Sequence, residues 1–62
     1  MDNKPLYTMV DARRMALATA NANGAPVVIM RDATGWYWIT DNPEYADYGI
    51  IVEPNEIEEV AP

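Results

Sequence analysis

The chain has 62 residues, an apolar content of 50% and a net charge of −6, and it contains neither Cys nor His. These values exclude disulfides and ordinary zinc sites, which are common supports of very small domains. They also argue against a disordered chain, because disordered chains have few apolar residues. We therefore expect one small domain over residues 1–62, holding no cofactor, with some apolar surface left for an interface.

Membrane insertion is not expected. No apolar run reaches the ~20 residues that a spanning helix needs. The first five residues, MDNKP, also lack the basic and apolar stretches of a signal peptide. These features predict a cytoplasmic protein.

The first predicted element is a helix over about residues 9–22. Thr8 is a favourable N-cap, and Asp11 at the third helical position completes a variant of the capping box. Gly24 then tolerates the left-handed conformation that commonly ends a helix. The helix is rich in Ala, which favours helix formation and keeps the element thin.

One face of this helix is predicted to pack on a sheet. The helical period places six apolar residues on that face: Met9, Val10, Ala12, Ala16, Leu17 and Ala20. Arg13 projects from the middle of the same face. We expect the stem of Arg13 to pack while its guanidinium reaches solvent.

A β-hairpin follows over residues 27–31 and 36–40, which are rich in β-branched and aromatic side chains. Residues 32–35 resemble a type I turn closed by a left-handed Gly35. Because side chains alternate along a strand, the hairpin has two apolar faces. One face carries Val27, Ile29, Tyr37 and Ile39, and the other carries Val28, Met30, Trp36 and Trp38.

The remaining elements are shorter. Asn42 followed by Pro43 and an acid is a helix-start signal, so one or two turns should run to Tyr48 and stop at Gly49. Residues 50–53 are predicted as a third strand. Residues 56–60 fit either a helical turn or an edge strand, and residues 6–7 fit a short additional strand.

Together these elements predict an α+β fold: one N-terminal helix packed on a three-stranded antiparallel sheet, with a short helix before the last strand. A single helix covers one sheet face, and the pattern does not decide which face that is. The other apolar face needs a second cover, either from the short helix and the tail or from another chain.

Catalysis and metal binding lack their usual residues. The chain has no Ser, Cys or His, so the common activated nucleophiles are absent and we expect no enzyme. Acids cluster after Asp41, but a calcium loop starting there would have Pro43, Ala46 and Val52 at its third, sixth and twelfth positions. That pattern fails, and no metal site is predicted.

Direct binding of nucleic acid is also not expected. Trp36, Tyr37 and Trp38 next to Arg31 resemble an aromatic platform with a cation. The isoelectric point of about 4.1 opposes this interpretation, because such domains normally carry a basic surface. Packing in a core or a protein interface is the preferred interpretation of these aromatic side chains.

The acids are concentrated in one part of the chain. Residues 41–62 hold seven carboxylates and no basic residue, whereas residues 1–40 have a net charge of +1. Such a surface either keeps a small apolar protein soluble or imitates the phosphate backbone and occupies a basic channel. In the second interpretation the partner contacts are Glu44, Asp47, Glu53, Glu56, Glu58 and Glu59, with Trp36, Tyr37, Tyr45 and Tyr48 as aromatic anchors.

The preferred hypothesis is a non-enzymatic acidic module that binds a basic protein surface. Its most concrete form is a small inhibitor of a nucleic-acid-processing complex, like those that phages use against restriction or CRISPR systems. The alternative is a small homo-oligomeric structural or accessory protein, such as a homodimer, that pairs its apolar sheet face with a second copy.

Overall fold

The computed structural model describes residues 4–54 and confirms the predicted fold class. Helix α1 spans Met9–Asn23, and the strands are β1 (Val27–Arg31), β2 (Tyr37–Thr40) and β3 (Ile50–Val52). A 3-10 turn, Pro43–Tyr45, precedes β3 in place of the predicted short helix. The prediction for residues 56–60 lies outside the described residues.

The ends of α1 follow the local sequence signals. The Thr8 Oγ1 accepts a hydrogen bond from the Asp11 backbone N–H at 3.2 Å, which satisfies one of the free amides of the first turn. Gly24 has φ 66° and donates its N–H to the carbonyl of Ala20 at 2.8 Å. This left-handed closure explains why the helix ends at Asn23.

The buried stripe of α1 is narrower than predicted. Ala12, Ala16 and Ala20 are 0% exposed, and their small side chains let the helix approach the sheet closely. Val10 is 61% exposed, so its predicted place on the packing face is wrong. A helix seated on an i, i+4 stripe of alanines contacts the sheet along a narrow strip, and the side chain at position 10 lies beyond its margin. Arg13 is exposed.

The sheet has β1 at its centre, in the order β2-β1-β3, and both pairings are antiparallel. The central position buries Val27, Val28 and Ile29 to 1–3% exposure. Ile29 stands opposite Ile39 on one side and Ile50 on the other. Such cross-strand pairs of β-branched side chains are the main local stabilisation of a sheet.

Helix α1 covers the face of the sheet that carries Val27 and Ile29, which settles the choice that the sequence pattern left open. These two side chains and Val52 form the core with the buried alanines of the helix. Other apolar side chains pack around this core: Tyr7, Met9, Leu17, Tyr37 and Ile39.

The hairpin turn forms as predicted. Gly35, at φ 96°, donates its N–H to the carbonyl of Asp32 at 3.0 Å. The Asp32 carboxylate accepts from the Thr34 hydroxyl at 2.7 Å and from its backbone N–H at 3.1 Å. These bonds hold the pKa of Asp32 below its usual value, because they favour the charged carboxylate, and the bond from the hydroxyl has the larger effect.

The outer edge of β2 is paired with the segment before α1. Tyr7 and Tyr37 exchange two backbone hydrogen bonds, of 2.7 and 2.9 Å. The short strand expected at residues 6–7 is therefore a single bridge. It protects part of an exposed strand edge and carries Lys4 toward the far face of the sheet.

Gly49 is required by close packing, which differs from the role predicted for it as a helix stop. Its φ is not positive. A Cβ at this position would meet the backbone oxygen of Ile29 and would lie 2.7 Å from Val28 Cγ1 and 2.8 Å from Met30 Sδ. The chain after the 3-10 turn therefore presses directly on β1, where only glycine fits.

Candidate protein-binding face

The face of the sheet opposite α1 is only partly covered. Across this face Val28 stands between Thr40 and Ile51, and Met30 stands next to Trp38. The 3-10 turn and Gly49 lie against β1 and bury Val28 to 3% exposure. Ile51 nevertheless stays 43% exposed. Within residues 4–54, the second cover expected from the pattern is present but incomplete.

One end of this face is closed by a stack around Trp38. The Tyr45 ring meets the Trp38 ring edge-on, with the centroids 5.5 Å apart. The Lys4 ammonium lies 4.4 Å from the centroid of the same indole. Edge-to-face rings and a cation over an indole are both favourable arrangements. Trp38 is half-buried as a result, so this end of the face is covered by side chains of the chain itself.

The other end of the face is an open groove of about 420 Å³. Tyr45 points to the Trp38 stack, and Pro43 and Ala46, at the two ends of the turn, form one wall of the groove. The end of β3 forms another wall, and the link between α1 and β1 forms a third. The lining has six apolar residues and two acids: Ala25, Pro26, Val28, Pro43, Ala46, Ile51, Asp41 and Glu53.

The strand topology brings these two acids together. Asp41 directly follows β2 and Glu53 directly follows β3. Because both strands run antiparallel to β1, both end beside its first residues. Two carboxylates that are far apart in the chain thus line one groove.

Further acids lie next to the groove. Glu44 is in the 3-10 turn, and Asp47 is in the turn that follows it; both are exposed. We call Asp41, Glu44, Asp47 and Glu53 the acidic face. The arginines lie elsewhere: Arg13 and Arg14 are on α1 and Arg31 is at the far end of β1. Lys4 is on the same sheet face but at its other end, over Trp38. Each of these three arginines is exposed.

The predicted contact residues separate into three groups. Glu44, Asp47 and Glu53 belong to the acidic face, and Tyr45 and Tyr48 are close to it along the chain, at 36% and 77% exposure. Trp36 and Tyr37 lie apart from it: Trp36 is 49% exposed at the hairpin turn, and Tyr37 packs on the helix side of the sheet. Glu56, Glu58 and Glu59 lie outside the described residues.

The groove also includes residues that the sequence pattern does not indicate as contacts. Asp41, Ile51 and Pro26 line the groove but are not among the contacts that the sequence predicts. The alternation that gave the sheet two apolar faces was the available signal for Ile51. Pro26 and Asp41 had no such signal, because their proximity depends on the order of the strands.

Within residues 4–54, no three acidic side chains converge in a way that could hold a metal ion. The same part of the chain has no helix long and apolar enough to cross a bilayer. Comparison with protein-family models, with curated proteins and with solved structures found no match. A function for this chain is therefore inferred from the geometry and charge of the acidic face.

Proposed function

We propose that this protein is a non-enzymatic binding module whose acidic face docks on a basic surface of a partner protein. The supporting observation is the arrangement of Asp41 and Glu53 at an apolar groove, with Glu44 and Asp47 beside it. A surface whose charges share one sign attracts a partner surface of opposite charge and orients it during approach.

The most specific form of this function is occlusion of a nucleic-acid-binding surface. Carboxylates on a folded scaffold offer a basic channel some of the charge that it normally neutralises on phosphates. A partner engaged in this way would lose access to its nucleic acid by steric and electrostatic competition. The protein would then act as an inhibitor of a nucleic-acid-processing complex, as phage-encoded inhibitors do.

A salt titration with a competition assay tests this function. The partner is captured at low salt, released at high salt and purified, and its affinity for the protein is measured between about 50 and about 200 mM salt. We expect at least a tenfold loss of affinity over this range, because added salt screens the attraction between the acidic face and a basic surface.

In the same assay the protein should displace a labelled nucleic acid from the partner in a concentration-dependent way. Affinity that does not change with salt would contradict charge-directed docking. Simultaneous binding of protein and nucleic acid would contradict occlusion, even if docking itself depended on charge.

A second candidate function is self-association as a structural or accessory module. The exposed apolar side chains Tyr48, Ile50 and Ile51 favour it, because they lie at and before β3, an edge strand of the three-stranded sheet. Sedimentation at several concentrations separates the two candidates. A mass that falls on dilution would support self-association, whereas a constant monomer mass would support the binding module.

A further inference from the structure

The groove on the acidic face has a second property besides its charge, which is an apolar lining. We infer that it is the anchor site for a segment of the partner protein in which an apolar side chain is flanked by Lys or Arg. This inference rests on the proposed function and specifies the chemistry of the partner.

The apolar part of the groove is suited to receive a side chain. Its volume of about 420 Å³ lies within the range of about 300–1,000 Å³ that is typical of ligand sites. Val28 is buried among the lining residues, and Ile51 stands half-open at the side. Water against such a lining is released when an apolar group enters, which is the main driving force of association.

The acids that line the groove restrict what can enter. An apolar segment that covers Asp41 removes water from its carboxylate, which is unfavourable unless a cation or hydrogen-bond donor replaces that water. Glu53 adds negative charge to the same lining. Glu44 and Asp47 add negative charge close by. A segment with Lys or Arg beside its apolar residue meets both requirements, since it fills the groove and compensates its acids.

Charge also argues against two other occupants. Residues 55–62 of this chain offer the apolar residues Ile57 and Val60, but three Glu side chains accompany them. A second copy docked through the same face would set Asp41 and Glu53 against acids of the same face. Like charges brought together in this way repel each other.

A selection experiment identifies the preferred occupant. Random short peptides displayed on phage are selected on the immobilised full chain at low salt, with bare support as the control. We expect the enriched peptides to combine an aliphatic or aromatic residue with neighbouring Lys or Arg. Enrichment of peptides without Lys or Arg, or no enrichment over bare support, would overturn the inference.

Two neighbouring isoleucines provide a matched pair of variants. Ile50 and Ile51 are both in β3 and both 43% exposed, but only Ile51 lines the groove. A selected peptide, labelled with a fluorophore, is titrated by anisotropy against the parent chain and against Ile51→Thr and Ile50→Thr. We expect roughly tenfold weaker binding for Ile51→Thr, as for loss of an apolar contact in a pocket, and a change within about twofold for Ile50→Thr.

Circular dichroism melts of both variants show whether β3 is intact. Equal losses of affinity in two folded variants would exclude the groove as the anchor. In that case the salt dependence of partner binding would still stand, so the proposed function would survive without this inference. Conversely, peptide affinity could fall with Ile51→Thr alone while partner affinity does not change with salt. That result would support the apolar site and contradict charge-directed docking.

Discussion

At the scale of single residues, the close contact of Gly49 with β1 explains why position 49 requires glycine. Its neighbours are the backbone oxygen of Ile29 and the side chains of Val28 and Met30. The oxygen belongs to the central strand of the sheet, which is held on both sides and has little freedom to move. A methyl group at position 49 therefore has to push the turn away from the sheet.

We predict that Gly49→Ala lowers the free energy of unfolding by about 1–3 kcal/mol, the usual cost of overpacking. In a domain of this size, that corresponds to a fall in melting temperature of at least about 4 °C. The sign is informative, because Gly→Ala at a site without strain stabilises a protein through the unfolded state. Thermal melts followed by circular dichroism measure the change.

Gly24→Asn is the matched control for this prediction. Gly24 has φ 66° and no heavy atom within 4 Å of an added Cβ, and Asn tolerates the left-handed conformation. We expect only a small decrease in stability for this variant. A Gly49→Ala protein as stable as the parent would show that the turn does not press on β1.

At the scale of elements, α1 is held mainly by a stripe of small side chains. Ala12, Ala16 and Ala20 recur at intervals of four residues and are fully buried against the sheet. Alanine adds little apolar area, so the value of this stripe lies in the close approach that it permits. The larger side chains around the stripe, such as Leu17, complete the packing from the margins.

We predict that Ala16→Leu destabilises the protein by about 1–3 kcal/mol, because the added carbons have no space between helix and sheet. Ala18→Leu is the control: position 18 is on the same helix but exposed, and Leu has nearly the helix propensity of Ala. Chemical denaturation of both variants measures the difference. Equal stability of the two variants would be incompatible with a close helix–sheet contact at Ala16.

At the scale of the whole molecule, the uneven distribution of charge along the chain becomes an uneven distribution of charge over the surface. Of the acids at positions 41–54, Asp41 and Glu53 line one groove, and the other two directly follow groove-lining residues in the chain. Arg13 and Arg14 lie on the helix layer across the sheet. Exposed charges separated by more than about 8 Å are largely screened at physiological salt. The arginines of the helix therefore compensate little of the charge on the acidic face.

We predict that replacing Asp41, Glu44 and Asp47 together with Asn, Gln and Asn weakens partner binding at least tenfold and reduces its salt dependence. The reason is that three of the charges that attract the basic surface are lost. Titrations at two salt concentrations measure both effects. A triple Glu56/Glu58/Glu59→Lys variant tests the contribution of the tail in the same assay and should also lose binding while remaining folded.

Two single substitutions provide the control for the charge variants. Asp47→Asn and Asp11→Asn remove the same charge from opposite layers of the molecule, and both residues are exposed. Only Asp47→Asn should weaken binding measurably. If both single variants weaken binding equally, the partner responds to total charge and not to the acidic face.

The features that the sequence predicted correctly depend on residues close together in the chain. Thr8 and Gly24 mark the ends of α1, and Asp32 and Gly35 mark the hairpin turn. Alternation then yields strands with two apolar faces. Each of these signals acts within a few residues, so it keeps its meaning whatever the rest of the chain does.

The long helix, the three strands, their antiparallel pairing class and the excess of negative charge are therefore readable from the chain alone. Three further features became visible in the folded chain: β1 is central, α1 covers the face with Val27, and Val10 lies outside the contact. The fold also brings Asp41 and Glu53 to one groove. These outcomes arise from contacts between elements far apart in the chain, and no local periodicity encodes the order in which strands assemble.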